Sequence, residues 1–154
     1  VATIALVDDR LAQIIDEVVD FDPLFARVLR LAADVAAGEG HVRTEVEGTF
    51  GEVAADDATA LAVVLTELVT NAVQHGLGRT GGTVVVTAER DGQQLDVTVR
   101  DDGEGMEEGR ALSGLGTQIV STLVRGELGG TIEWRPGPGG GTEVAVRANL
   151  ADAR

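Results

Sequence analysis

The fold is decided by the stretch TELVTNAVQHG, residues 66–76, which ends a long apolar pattern and places Glu67, Asn71 and His75 four residues apart. Residues at this spacing share one face of an α-helix. Apolar residues cover most of the remaining circumference, so the pattern predicts a largely buried helix. Three aligned polar side chains on such a helix form either a solvated stripe or one wall of a functional site. This segment alone leaves both interpretations open.

The composition bounds the class of protein. A chain of 154 residues with 44% hydrophobic content is typical of one globular domain with a real core. Aromatic residues make up only 3%, so aliphatic side chains must fill that core. The absence of cysteine excludes disulfides and thiolate metal sites. Two histidines, His41 and His75, argue against a zinc site built from histidine.

The net charge of −14 disfavours nucleic acids and anionic membranes as partners. A bound polyphosphate would need a cation, backbone N–H groups or a helix N-terminus to offset this charge. No apolar run reaches membrane-spanning length, and no secretory signal is visible, so we expect a cytoplasmic protein.

Residues 1–20 place Ile4, Val7, Leu11 and Val18 at three- and four-residue spacing, with Ile14 or Ile15 between the last two. This narrow stripe is of the coiled-coil type and is too short to be stable alone. It predicts the end of a longer dimerisation helix or its linker; the alternative is a simple N-terminal helix packed on the domain. The chain starts at Val1, which fits a fragment of a longer protein or a removed initiator methionine. The expected division is residues 1–20 as helix end or linker, 21–150 as the main domain and 151–154 as a frayed tail.

Local signals place the remaining elements. Asp22 and Pro23 form a helix start, with Asp22 as the N-cap. Asp91-Gly92 is a hairpin signal between two strand patterns, which makes those strands antiparallel. The expected fold is α/β, a two-layer sandwich with helices on one face of a mixed, mostly antiparallel sheet. The predicted helices span 22–37, 56–75 and 115–128, and the predicted strands span 42–48, 83–89, 94–101, 130–135 and 142–149.

Three glycine-containing stretches follow the long helix: residues 101–106 after a strand, 113–117 before a helix, and 139–142 opening the last strand. Glycine lets a backbone approach a ligand closely and offer its N–H groups to phosphate oxygens. A helix N-terminus near Gly116 adds partial positive charge. Each stretch alone is an ordinary turn, and neither a Walker motif nor a dinucleotide fingerprint is present.

The order of the motifs is more specific than any one of them. ExxxNAxxH, then DxGxG, GxG and a GT pair resembles the ATP-binding domain of the superfamily of histidine kinases, gyrase, heat-shock chaperones and mismatch-repair proteins, over about residues 20–150. The run SGLGTQIVSTLVRGELGGTIEWRPGPGGGTEVAVRANL is similar to the sensor histidine kinase pattern. Residues 106–113 contain no Phe, which is similar to soluble actinobacterial sensor kinases with an atypical phosphoacceptor helix. The resemblance implies the Bergerat ATP-binding fold.

The resemblance also implies roles for polar residues. Asp101 would accept a hydrogen bond from the exocyclic amine of adenine, and Thr142 would support the same edge. Asn71 would hold Mg²⁺ through its amide oxygen. Glu67 would act as general base or orient the attacking group. His75 would face the phosphates or the glycine-rich loop that covers the nucleotide; the equally weighted alternative is a helix-terminal residue favoured by the dipole.

Glycines complete the implied nucleotide site. Gly103 and Gly105 would let the backbone fold over the nucleotide. Gly114, Leu115 and Gly116 would line the phosphate tail, with the two glycines donating N–H groups. Asp102 and Glu104 are interpreted as solvated loop charges, and Trp134 as packed or half-exposed on its strand.

The resemblance implies the catalytic ATP-binding domain of a two-component sensor histidine kinase, with ATP and Mg²⁺ as cofactors. Neither His41 nor His75 fits a phosphoacceptor, so that histidine is expected outside this segment. The implied partners are its own dimerisation and phosphoacceptor domain, a response regulator and, in the full-length protein, a second copy. One alternative is an anti-sigma-factor serine kinase of the same superfamily, which carries a similar ELVTNAVxHG stretch. The other is a nucleotide-binding module without catalysis.

Overall fold

Helices and strands account for most of the computed structural model, which describes residues 17–37, 41–77, 81–103 and 115–151. The helices are α1 (Phe21–Ala37), α2 (Ala55–Asn71) and α3 (Leu115–Arg125), and α2 continues into a π-helical turn over Ala72–Leu77, called here the π turn. The strands are β1 (Val18–Asp20), β2 (Val42–Gly48), β3 (Glu52–Ala54), β4 (Gly82–Asp91), β5 (Gln94–Asp101), β6 (Thr131–Pro136) and β7 (Thr142–Asn149).

Five strands form one mixed sheet in the order β2-β4-β5-β7-β6. β2 and β4 run parallel, joined through α2, and every other neighbouring pair is antiparallel. The three helices pack against this sheet around one hydrophobic core. The expected sandwich of helices on a mixed, mostly antiparallel sheet is therefore confirmed. Within the described ranges, no helix is both long and apolar enough to pass through a membrane.

The alternation of β5 shows how the sequence sets this packing. Leu95, Val97 and Val99 are buried on the helix side, and the residues between them are half-exposed. Because side chains alternate along a strand, the same face continues to Asp101, the last residue of β5. The alternation that buries three apolar side chains of β5 therefore also places the carboxyl group of Asp101 at the edge of the core.

The prediction that residues 1–20 are helical is wrong at its C-terminal end. Val18–Asp20 form β1, which pairs antiparallel with β3, and the carbonyl oxygen of Glu17 accepts a hydrogen bond from the N–H of Ala55 at 2.9 Å. Two adjacent valines favour an extended backbone, and β3 satisfies its hydrogen bonds. Residues 1–16 lie outside the described part of the chain, so the division at residue 20 stays a prediction.

Asp22 does not cap α1, contrary to the prediction. The helix already begins at Phe21, and the two carboxylate oxygens of Asp22 accept hydrogen bonds from the N–H groups of Phe50 at 2.9 Å and Gly51 at 3.0 Å. The side chain therefore ties α1 to a turn 28 residues away in sequence. Three buried rings, Phe21, Phe25 and Phe50, pack together beside this tie.

The start of α2 shows the same departure from local capping. Ala54 is the N-cap and makes no side-chain capping bond. Asp57, in the first turn, is buried, and its Oδ2 accepts the N–H of Ala151 at 2.7 Å. A negative charge in the first turn also suits the helix dipole. The carboxylate fixes the chain after β7 to the N-terminal end of α2.

The predicted hairpin is present, with Gly92 and Gln93 as its loop, because Asp91 still pairs with Gln94. Gly92 has a φ of +61°, which glycine adopts without strain. The prediction for α3 overruns by three residues: the helix ends at Arg125, directly before Gly126.

Candidate functional site

Asp101 is a buried carboxyl group at the end of β5, with only 4% of its surface exposed. Its Oδ1 accepts the N–H of Gly103 at 3.0 Å, and its carboxylate also accepts from the backbone N–H of Thr142. Burial raises the pKa of Asp101 above its ordinary value of 3.8, because these two bonds only partly offset the cost of removing the charge from water. The nearby negative charge of Asp102 raises the pKa of Asp101 further.

Thr142 opens β7 beside Asp101 and is also buried. Its hydroxyl oxygen has no hydrogen-bond partner among the described residues. A buried polar group without a partner costs about 1–3 kcal/mol, so such groups are rare and call for an explanation. A ligand that hydrogen-bonds at the edge of Asp101 would supply the missing partner.

Gly141, the residue before Thr142, lies close against Asp101. Its φ is +75°, and a Cβ at this position would overlap the carbonyl oxygen of Asp101 and lie 3.0 Å from its Oδ1. Any side chain would therefore push against the group that Asp101 presents. Glycine is required here both by the backbone conformation and by the close approach.

Glu67 and Asn71 lie on α2, and both are half-buried, as expected for a polar edge on a helix that is otherwise packed. The carboxylate of Glu67 lies against Gly116 in the first turn of α3, where a Cβ would overlap its Oε2. The predicted catalytic carboxylate and the predicted phosphate-binding helix start are thus in contact. Their approach depends on the absence of a side chain at Gly116.

His75 does not continue a regular α-helical face. The α-helix ends at Asn71, and His75 lies in the π turn. The four-residue spacing from Asn71 to His75 assumed 3.6 residues per turn, which a π-helix does not have. The placement of His75 beside the phosphates therefore stays a prediction. Short π-helical insertions occur often at functional sites.

Only some of the remaining predicted site residues lie in the described part of the chain. Gly103 is described and half-buried, and Leu115 and Gly116 form the start of α3. Gly105 and Gly114 lie outside the described residues, as do Glu104 and residues 106–113.

The described residues contain no group of three or more His, Cys, Asp or Glu that could hold a metal ion on its own. Mg²⁺ does not need such a cage, because it commonly binds one or two protein oxygens and takes its other ligands from water and substrate phosphates. The half-buried amide of Asn71, one turn from the Glu67 carboxylate, suits that donor set. The residues present therefore fit a nucleotide-dependent magnesium site.

Two residues outside the predicted site are informative. Asp102, interpreted as a solvated charge, is exposed, yet its Oδ1 accepts the N–H of Thr83 at 2.9 Å. No sequence pattern predicts this bond, because it depends on the register of β4 and β5. Trp134 is half-buried and packs on the core, as expected.

Comparison with known proteins decides the family. Residues 56–152 match the model of the histidine kinase-, DNA gyrase B- and HSP90-like ATPase family. The chain belongs to this family. The matched range contains the whole site described above, from Glu67 on α2 to Thr142 on β7.

Sensor histidine kinases are among the proteins that this chain resembles in sequence. The chain is 43% identical to the sensor histidine kinase PdtaS of Mycolicibacterium smegmatis and 41% identical to that of Mycobacterium tuberculosis, over 97% and 96% of its own length. It spans only 31% and 30% of those relatives. A histidine kinase domain from Erythrobacter litoralis superposes with a TM-score of 0.72 at 30% identity, covering 83% of this chain and 60% of that one.

Proposed function

We propose that this chain is the ATP-binding catalytic domain of a two-component sensor histidine kinase, transferring the γ-phosphoryl group of ATP to a histidine outside this segment. The observation that carries the proposal is that buried Asp101 lies beside the buried hydroxyl of Thr142, which has no hydrogen-bond partner among the described residues. Burying these two polar groups costs free energy, which hydrogen bonds to a bound nucleobase would offset. The relatives of this chain favour a histidine kinase over an anti-sigma-factor kinase.

The adenine end of the site would be formed by Asp101, Thr142 and Gly141. When ionised, the carboxylate of Asp101 can only accept hydrogen bonds, which suits the exocyclic amine of adenine, a donor. Thr142 can donate or accept, so its hydroxyl would bind a ring nitrogen directly or through water. Gly141 lets the chain before β7 approach the backbone and carboxylate of Asp101 closely.

The phosphate end would lie between α2 and the start of α3. The first N–H groups of α3, at Leu115 and Gly116, have no partner within the helix and favour an anion. Asn71 would hold Mg²⁺ through its amide oxygen, and the ion would neutralise charge on the phosphate oxygens. This arrangement would offset the net charge of −14 at the place where a polyphosphate must bind.

Transfer would form a bond between the γ-phosphorus and an imidazole nitrogen of the acceptor histidine and break the bond to the β–γ bridging oxygen, leaving ADP. Glu67 would take the proton from the other ring nitrogen of the acceptor histidine as the unprotonated nitrogen attacks, or hold that ring in line. The Glu67 carboxylate lies against Gly116 in the first turn of α3, which supports this role. A response regulator would then receive the phosphoryl group.

The whole protein would hold further parts. We propose that the phosphoacceptor histidine lies on a dimerisation domain joined to this one, and that the full-length protein forms a homodimer in the cytoplasm. The stripe at Ile4, Val7 and Leu11 supports a helix of that domain ending near the start of this chain.

The test uses full-length protein containing this domain, γ-labelled ATP and Mg²⁺. We expect label that is stable to base and labile to acid, the signature of phosphohistidine. Glu67→Gln should lower the transfer rate by about 10²–10⁴-fold while ATP still binds, because it removes a proton acceptor and keeps the shape of the side chain. Glu127→Gln, on a charged residue beyond α3, is the matched control.

Three outcomes would contradict the proposal. Failure of the wild-type protein to bind ATP in calorimetry would remove the nucleotide site altogether. Label stable to acid, on an added serine-containing protein substrate, would instead identify the anti-sigma-factor type of kinase. ATP binding without any transfer would leave only the non-catalytic module.

A further inference from the structure

The ladder between β4 and β5 ends in an unusual way beside the proposed adenine site. Its last paired residues are Val84 and Asp101. One residue further on, the N–H of Thr83 donates to a side chain, Oδ1 of Asp102, at 2.9 Å. Gly103 follows Asp102 in the sequence, and its backbone N–H donates to Oδ1 of Asp101 at 3.0 Å. Two consecutive carboxylates thus fix the turn in which β5 ends.

The two carboxylates have different surroundings. Asp101 is buried on the core face of the sheet, whereas Asp102 is exposed. Asp102 holds residue 102 to the beginning of β4, and this anchors the backbone on one side of Gly103. The bond from Gly103 to Asp101 then sets the direction of the buried carboxylate, in the manner of an Asx turn.

The charge of Asp102 is electrostatically unfavourable for the ionised form of Asp101, so the geometry of the anchor must be separated from its charge. The negative charge of Asp102 raises the pKa of Asp101 and opposes its ionised form. An asparagine would accept the same bond from Thr83 without this cost. In a chain of net charge −14, a further carboxylate beside an anion-binding site gains nothing from long-range attraction.

We propose that Asp102 is a positioning residue for nucleotide binding: it fixes the Asp101–Gly103 turn to β4, so that the Asp101 carboxylate is already aimed at the base before the nucleotide arrives. This inference rests on the proposed function, since it assigns Asp101 to the base. Preorganisation of this kind raises affinity by lowering the cost of ordering the site on binding. What Asp102 supplies is its acceptor oxygen and not its charge.

Two substitutions separate geometry from charge. Asp102→Asn keeps an acceptor oxygen at the same position and removes the charge, and Asp102→Ala removes both. Asp96→Ala is the matched control, because Asp96 is a carboxylate within β5 on the face of the sheet opposite Asp101, and its Oδ1 accepts a hydrogen bond from Arg147 at 2.9 Å. All variants are made in the same chain as the wild type.

The first measurement is amide hydrogen exchange at Thr83 without nucleotide. We expect this N–H to be protected in the wild type, in Asp102→Asn and in Asp96→Ala, and to exchange rapidly in Asp102→Ala. The second is the dissociation constant for Mg-ATP by calorimetry. We expect Asp102→Ala to weaken binding about tenfold, equal to about 1.4 kcal/mol, and Asp102→Asn to stay within about twofold of the wild type.

Rescue by asparagine is the result that a general loss of stability would not produce. The inference is overturned if Asp102→Asn binds as weakly as Asp102→Ala, or if Asp102→Ala binds as well as Asp96→Ala. If Asp102→Ala does not fold, rapid exchange at Thr83 in Asp102→Asn would overturn it alone. If the wild type binds no ATP, the proposed function fails, and the exchange data still decide whether the anchor exists.

Discussion

The carboxylate of Glu67 on α2 lies directly against Gly116 in the first turn of α3, with no space for a side chain between them. This contact joins the two helices at the point where the proposed reaction would take place. Glycine is the weakest helix former after proline, so its place inside α3 has a local cost of about 1 kcal/mol relative to alanine. The close approach of Glu67 explains why that cost is tolerated.

Gly116→Ala should therefore separate stability from activity. The added Cβ would push away the flexible end of Glu67, so the fold should remain, with an unfolding free energy unchanged or raised by up to about 1 kcal/mol. The rate of phosphoryl transfer should fall about tenfold or more, because the carboxylate is displaced from its position. Urea unfolding and a transfer assay measure the two effects.

Gln118→Ala, on an exposed position of the same helix, is the control and should change neither quantity greatly. A Gly116→Ala protein with full transfer activity would show that the Glu67–Gly116 contact has no part in the reaction.

Asp101→Asn should weaken ATP binding by about 1.5–3 kcal/mol, which is roughly a 10- to 150-fold higher dissociation constant. The buried carboxylate would be replaced by an amide that accepts less strongly and carries a donor facing the donor of adenine. Calorimetry measures the affinity, with Asp96→Asn on the outer face of β5 as the control. Unchanged affinity in Asp101→Asn would place the base elsewhere.

Thr142→Val should have opposite effects on stability and binding. Valine has nearly the shape of threonine and removes the buried hydroxyl that has no partner, so the unfolding free energy without nucleotide should rise by about 1 kcal/mol. ATP affinity should fall, because the base edge loses a hydrogen bond. Thermal unfolding with and without Mg-ATP tests both signs in one experiment.

Thr98→Val, half-exposed on the opposite face of the sheet, is the matched control and should leave ATP affinity unchanged. If Thr142→Val lowers stability without nucleotide, the hydroxyl has a partner in solution and this assignment of Thr142 is wrong.

The pH dependence of stability should report the raised pKa of Asp101. Because the folded state binds the Asp101 proton more tightly than the unfolded state, this group favours folding most at a pH below its unfolded value of 3.8. That contribution is lost as the pH rises through the higher pKa of the folded state. The wild type should thus lose stability relative to Asp101→Asn as the pH rises from about 4 towards neutrality.

Urea unfolding of the two proteins at a series of pH values measures this difference, in which the titration of all other groups largely cancels. A difference that grows in favour of the wild type with rising pH would mean that the pKa of Asp101 is lowered instead.

Asp22→Asn should destabilise the protein by about 1–3 kcal/mol, since one charged acceptor of two backbone N–H groups becomes a neutral side chain with a single acceptor oxygen. Its effect on ATP affinity should be small, because the tie lies between α1 and the turn at Phe50. Asp20→Asn, on an exposed strand residue, is the control. Equal stability of both variants would show that the tie is not maintained in solution.

The spacing of hydrophobic residues in the sequence was sufficient to predict most of the fold. β2, β5 and β7 lie at the predicted residues, and the buried face of α2 follows from its apolar spacing. These elements are determined locally, because alternation or a 3.6-residue repeat decides which side chains leave water together. The order of the glycine motifs was likewise enough to indicate the family.

Tertiary structure decided what the side chains at the element ends do. Asp22, predicted as a local helix cap, and Asp57, in the first turn of α2, bind backbone N–H groups 28 and 94 residues away. The π turn after Asn71 and the strand at Val18–Asp20 also escaped the sequence patterns. A carboxylate binds whichever N–H group the packed chain brings within reach, and that partner depends on how the elements pack. Hydrophobic spacing can be read directly from the sequence. The contacts of Glu67 with Gly116 and of Asp102 with Thr83 form only when the helices and strands pack together.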